Sequence, residues 1–138
     1  SLRNGAALRA YPSPSARARL LQIWIRPNAR GLTPSYTEWH PKPGSAQEAK
    51  ALVISPDGRD GSAVIHQDAE VHLLKLEPGG RAEHTLVEGR GAWVQVANGS
   101  MRVNGTALAT GDAAAVEQAG LLEFSSQQGA EALVFDLK

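Results

Sequence analysis

No cysteine occurs among the 138 residues, which excludes disulfides, thiolate metal sites and cysteine nucleophiles together. Aromatic residues are scarce, at 5% of the chain. Neither sign of charge is in surplus, with Lys+Arg and Asp+Glu at 14 each. No Lys/Arg cluster breaks that balance locally, so there is no electrostatic footprint for nucleic acid or for an anionic membrane. The apolar runs are far shorter than a membrane span. The opening residues Ser1–Gly5 have no apolar segment of the secretory kind. Together these absences lead to the expectation of a cytoplasmic protein. The first residue is not Met, so the chain can be a processed, cloned or proteolysed piece.

What is present is the size and composition of one ordinary globular domain, 42% apolar and 20% charged, long enough to bury a core. Residues 1–19, Arg-dotted and broken by Pro12 and Pro14, read as an N-terminal arm. Leu20–Ile25 is apolar enough for a strand covered on both faces, stopped by Pro27. A long polar connection follows to about residue 50, with a helical candidate over Gly44–Lys50. From Ala51 short strands recur at even spacing: Ala51–Ile54, Ser62–His66, Glu70–Leu76, then Ala113–Glu117, Leu121–Ser125 and Glu131–Leu137. Gly, Pro and Asn turns separate them, the pattern of a β-sandwich or barrel.

Between these two groups lies the most informative stretch, Leu76–Gly105. A Pro78-Gly79-Gly80 turn enters a strand, a Gly89–Gly91 bend enters a second, and Asn-Gly pairs stand at 98–99 and 104–105. Asn-Gly between apolar runs is the strongest short hairpin signal, because both central positions of a type I′ turn need φ > 0. The expectation is two tight turns in an antiparallel meander.

The run "LEPGG", then "WVQVANG" and "VNG", then "ATGDAAAV" resembles the two motifs of a cupin. With "LLQIWIRPNARGLTPSY", "LVISPDGRDGSAVIHQDAEV" and the closing "ALVFDL", residues 20–137 resemble the C-terminal part of the pirin-like bicupins, the family that includes bacterial quercetin 2,3-dioxygenases. The resemblance implies an all-β fold, a cupin-type double-stranded β-helix (jelly-roll barrel) with an N-terminal arm and extra strand. It divides the chain into 1–19, an arm or remnant of the joint between cupins, 20–50, a bridging strand and long connection, and 51–138, the C-terminal barrel. It also implies an N-terminal cupin that holds a divalent transition metal through three His and one Glu, in a dioxygenase acting on flavonols. In such proteins the C-terminal half lacks the metal. A His-Ser-Glu segment expected before the first strand is absent from Gly5 to Ser15.

Tested residue by residue, the metal motif is empty here. Imidazoles and a carboxylate would be needed to hold Fe, Mn, Ni, Cu or Zn. Counting back from Gly99 puts Ala92 in the Glu position and Thr85 with Val87, or Leu86 with Glu88, in the His-x-His positions. The second motif, counted from Gly111, places Leu122 or Glu123 where a His is wanted. The four histidines, His40, His66, His72 and His84, form no paired motif. His84, with Glu83 or Glu88, is the one metal candidate, set against an imidazole with an ordinary hydrogen bond. The loop Ser55–Ser62 resembles a calcium loop but lacks its terminal Glu, and reads as a turn capped by Asp57 and Asp60. Ser62, His66 and Asp68 make a triad only on paper. Trp24, Tyr36 and Trp93 are candidates for an apolar pocket or interface, set against the core as the usual place of an aromatic in a small barrel.

The reading is a metal-free C-terminal cupin without catalytic residues or cofactor of its own, supporting a catalytic barrel. The partner is that N-terminal cupin or, in its absence, a second copy through Leu20–Ile25. The alternative is a free-standing module that binds a small molecule or a protein at the barrel mouth.

Overall fold

The computed structural model describes residues 21–40 and 49–138. The arm 1–19, Leu20 and most of the helical candidate, 44–48, lie outside them. Lys50, the last residue of that candidate, opens a strand instead.

Nine strands follow one another: β1 (Lys50–Ser55), β2 (Ala63–Val64), β3 (Ala69–Leu76), β4 (Arg81–Leu86), β5 (Gly91–Val103), β6 (Thr106–Ala109), β7 (Ala113–Val116), β8 (Gly120–Ser125) and β9 (Ala130–Leu137). They form one curled sheet in the order β2-β1-β3-β9-β5-β8-β4, with β6 and β7 also paired to β5. Among the described residues there is no α-helix, only a 3₁₀ turn at Arg59–Gly61.

Alternation at period two decides which side chains enter the barrel. Along β5, Ala92, Val94 and Val96 point in, as do Leu74 and Leu76 of β3, Leu86 of β4, Leu122 and Phe124 of β8 and Val134 of β9, all buried in one core. Each of the Val, Leu and Phe side chains among them contributes about 1.5–3 kcal/mol by leaving water. A second cluster, Val53, Ile54, Ala63, Ile65, Val71 and Leu133, lies apart from it, with Ile23, Ile25 and Trp39 packed on it. Segment 21–40 is thus a cover for the outer face of the sheet.

That cover is not a strand. The expected strand at Leu20–Ile25 has no ladder partner over its described residues 21–25. Apolar on both sides, it finds a surface on one side only: Ile23 and Ile25 are half-buried, while Leu21 and Trp24 are exposed. It is held at its end, where Asn28 N–H donates to His66 O at 2.7 Å and Gln67 Nε2 donates to Arg26 O at 2.9 Å.

The two Asn-Gly pairs part company. Asn104 (φ 48°) and Gly105 (φ 85°) are the two-residue turn between β5 and β6, as expected for type I′. Asn98-Gly99 is no turn. β5 runs straight through it for 13 residues, and the register with β9 slips between Val96 and Asn98. The extra residue is Ala97, so a β-bulge stands just before the pair, and the strand then leaves β9 and β7 and continues beside β6 and β8. Gly99 serves twice, through its φ of 85° and because a Cβ there would lie 2.3 Å from Gly129 O.

Candidate functional site

The inward row Glu70 (β3), Asp136 (β9), Ala92 (β5) and Val116 (β7) is set by direct cross-strand register. The next row inward is His72, Val134, Val94 and Ala114. From the opposite wall β4 sends in His84, paired in register with Leu122. The type II turn before β5, closed by Arg90 N–H to Val87 O at 3.2 Å with Gly89 at φ 84°, places Arg90 at the rim.

These residues form one polar cluster inside an otherwise apolar barrel. His84 Nε2 lies 2.8 Å from Asp136 Oδ2, and Lys50 Nζ lies 3.2 Å from His84 Nδ1. Lysine can only donate, so Nδ1 accepts and the His84 proton sits on Nε2, donated to Asp136. The His72 ring is tilted against that of His84 with centroids 4.8 Å apart, and His72 Nε2 reaches Glu70 Oε2 at 3.3 Å. Glu70 is bound in turn by the Arg59 guanidinium. Arg90 donates through Nε to Asp136, through Nη1 to Asp68 at 2.7 Å and through Nη2 to Asp136 O at 3.1 Å.

Burial, and then the neighbouring His84 and Lys50, hold His72 down from 6.5 to about 4, against the pull of Glu70. Desolvation likewise lowers the Lys50 ammonium, opposed by Glu70 and Asp136. Arg90 is raised, chiefly by Asp136.

The cluster does not fit a transition metal. Both His84 nitrogens are committed, one of them to an ammonium that would repel a cation. Lys50, Arg59 and Arg90 balance Asp68, Glu70 and Asp136, so no charge asks for an ion. Among the described residues no three or more His, Cys, Asp and Glu side chains converge as a ligand set. Glu83 and Glu88, named as partners of His84, are exposed while His84 is buried, because strand alternation turns Glu83 outward and Glu88 lies in the turn. That pairing is corrected: the carboxylate His84 meets is Asp136. Ala92 and Leu122, in the two motif positions, are buried core residues, and Glu123 is exposed.

The sequence singled out His84 but missed His72, Glu70, Asp136, Lys50 and Arg90, which come from four other places in the chain. Only the register of β3 with β9 could have signalled Glu70 beside Asp136. The other candidates are dispersed. His40 is exposed against Glu38 at 3.2 Å, and His66 is exposed. Ser62 Oγ bonds Ser55 Oγ at 2.6 Å and Arg59 O at 2.7 Å while Asp68 holds Arg90, so no triad assembles. Asp57 Oδ1 caps Arg59 N–H at 3.3 Å and takes Ser55 Oγ–H at 3.0 Å, as a turn requires. Trp24 and Trp93 line one groove, of about 590 Å³, between segment 21–26 and the outer face of β5 and β9. Tyr36 does not line it and donates to Glu38 instead. All three aromatics are exposed, so the core reading fails for them.

A curled, largely antiparallel sheet with a Gly-Asp turn before β7 and a metal-motif backbone before and along β5 defines a cupin domain. Residues 52–137 match the family described as the quercetinase C-terminal cupin domain, and the chain belongs to that family. It is 36% identical over 126 residues to a quercetin 2,3-dioxygenase of Escherichia coli K12, covering 91% of this chain and 53% of that protein. The crystal structure of YhhW from Escherichia coli superposes with a TM-score of 0.76 at 34% identity, covering 83% of this chain and 48% of that one. A nickel(II) complex of bacterial pirin YhhW gives 0.71 at 32%. The chain spans about half the length of the curated relatives it matches. Among the described residues no helix is long and apolar enough to cross a membrane.

Proposed function

We propose that this chain is the metal-free C-terminal cupin of a cytoplasmic, pirin-like two-barrel protein, and that it supports a metal-dependent dioxygenase barrel carried upstream. The observation that carries this reading is the filling of the barrel. Ala92 and Leu122 occupy ligand positions as core residues, and the interior polar groups are satisfied by one another, with no buried side-chain N or O atom lacking a partner among the described residues. A catalytic metal site keeps an open coordination position among free ligands, whereas here the interior imidazoles and carboxylates are engaged with one another and with Lys50, Arg59 and Arg90. Quercetin 2,3-dioxygenase activity, for which relatives about twice as long are named, would then belong to the upstream half with its divalent metal.

The test is the natural reading frame together with metal analysis. The expected result is an upstream cupin carrying His-x-His, stoichiometric transition metal in the full protein, and clearly substoichiometric metal in the 138-residue chain. Stoichiometric metal in the short chain would overturn the reading. A reading frame that starts near Ser1 would favour the alternative, a free-standing binding module. Its site would be the groove of Trp24 and Trp93 on the outer face of the sheet rather than the barrel mouth. A homodimer through Leu20–Ile25 would use residues 21–25, which have no ladder partner within the chain, and a concentration-independent monomeric mass by light scattering would count against it.

A further inference from the structure

The carboxylate of Asp136, the imidazole of His84 and the amine of Lys50 stand in one line of hydrogen bonds. His84 Nε2 donates to Asp136 Oδ2 at 2.8 Å, and Lys50 Nζ donates to His84 Nδ1 at 3.2 Å. The three residues belong to β9, β4 and β1, so only the closed barrel assembles them. Carboxylate, imidazole, nucleophile is the order that activates a side chain for attack. The carboxylate fixes the tautomer of the base, and the base takes the proton of the nucleophile. Here an amine stands in the nucleophile's place.

An amine attacks only after it has lost a proton, and the surroundings of Lys50 favour that loss. The residue is half-buried, and burial lowers its ammonium against the opposing pull of Glu70 and Asp136. His84 holds an acceptor nitrogen against it, and the imidazolium formed by taking the proton would rest on Asp136. The groups facing the amine are thus His84 on β4, Glu70 and His72 on β3 and Asp136 on β9. A base that collects one proton and hands it on suits acyl transfer, where the nucleophile sheds a proton and the leaving group receives one.

We infer that Lys50 is a modification site, a nucleophilic amine that takes an acyl group from an activated donor, with His84 as its base and Asp136 positioning His84. The donor class is a thioester or an acyl phosphate. The Lys50 ammonium passes one proton to His84 Nδ1, and the freed amine attacks the acyl carbon. A C–N bond forms as the bond from that carbon to sulfur or to phosphate oxygen breaks. The leaving group takes the proton held by His84, the nitrogen gives its second proton to water, and nothing is oxidised or reduced. Acylation removes a positive charge. It leaves Arg59 and Arg90 alone against Asp68, Glu70 and Asp136, so the whole cluster feels the modification.

The test incubates the full natural chain containing these residues with acetyl phosphate and, in parallel, with acetyl coenzyme A. Acetylation is read at each lysine by mass spectrometry, with the exposed Lys75 and Lys138 as the internal reference. At pH 7 Lys50 is expected to react at least about tenfold faster than either reference, and the arm in which it leads names the donor. From pH 9 to pH 7 its rate should fall by less than the about tenfold per pH unit expected of an ordinary ammonium. His84→Gln should bring Lys50 down to the reference rate and leave Lys75 and Lys138 unchanged. Should that variant not fold, the pH profile of the parent decides. A Lys50 rate at or below the references in both arms would overturn the proposal. So would an ordinary pH profile, or a lead that persists in folded His84→Gln.

Discussion

His84 and Asp136, 52 positions apart in sequence, meet at 2.8 Å inside the barrel. One belongs to β4 and the other to β9, so the contact ties the β4–β8 wall to the β3–β9–β5 wall across the interior. The pair is buried and shared with Arg90 and Lys50.

Asp136→Asn keeps the shape of the side chain and removes the charge that Arg90 is bound to. Breaking one partner of a buried pair leaves the other uncompensated, so a loss of about 3 kcal/mol is expected. It should be read as a lower urea midpoint at unchanged m-value. A change below about 0.5 kcal/mol would mean that the cluster does not join the walls.

Stability should fall on acidification because of His72. Its folded-state value of about 4 lies below the ordinary 6.5, so below pH 6.5 the unfolded chain binds a proton that the folded chain refuses. The contribution is therefore complete above pH 6.5 and is lost as pH falls toward 4, by as much as about 3 kcal/mol. The groups facing His72 are Glu70 on its own strand, His84 on β4 and Lys50 on β1. In His72→Asn, urea midpoints measured from pH 8 to pH 4 should lose most of their slope in that window. A parent-like slope would assign the effect to another group.

Two glycines with the same φ of 85° should respond differently to alanine. Gly105→Ala meets nothing within 4 Å and bears only the left-handed backbone strain, about 1 kcal/mol. Gly99→Ala drives its Cβ into Gly129 O and should cost about 3 kcal/mol or more, because the bulge and the β9 start must both move. Thermal melts of the two variants side by side check this. Equal losses would contradict the bulge geometry.

Restoring the motif carboxylate should not restore a metal site. Ala92→Glu would place a carboxylate directly across from Asp136, in a core position, with Lys50 still against His84 Nδ1. The expected outcome is a destabilised protein, by about 2–4 kcal/mol, with no stoichiometric nickel, iron or manganese by elemental analysis. Recovery of tightly bound metal in this variant would show that the other ligands had been present all along.

Most strands were legible because period-two alternation and Gly/Asn punctuation are local properties, but β6 (Thr106–Ala109) was not singled out and β5 was read as two strands. So was the loss of the metal motif, which is a matter of which residue stands where. The two Asn-Gly pairs show where local reading stops. Asn104-Gly105 turns because the strand after it returns antiparallel to β5, whereas Asn98-Gly99 stays in the ladder, just after a bulge at Ala97, because β5 has partners on both sides of it. The same left-handed glycine serves either purpose, and only the neighbouring strands choose.

The amino-acid sequence by itself determined the all-β cupin scaffold, the family and the absence of a paired histidine motif, since each depends on residue type and spacing along one segment. Tertiary structure decided what fills the barrel. His72, His84, Asp136, Lys50 and Arg90 become neighbours only through strand register and closure of the sheet, interactions that no local pattern encodes. It also decided the fate of the apolar segment 21–25, which became a one-sided cover because it had a sheet face beneath it and no strand beside it. Within and around the stretch from Leu76 to Gly105, register and closure bring His84 and Arg90 to Asp136, a pairing that spacing along the stretch does not contain.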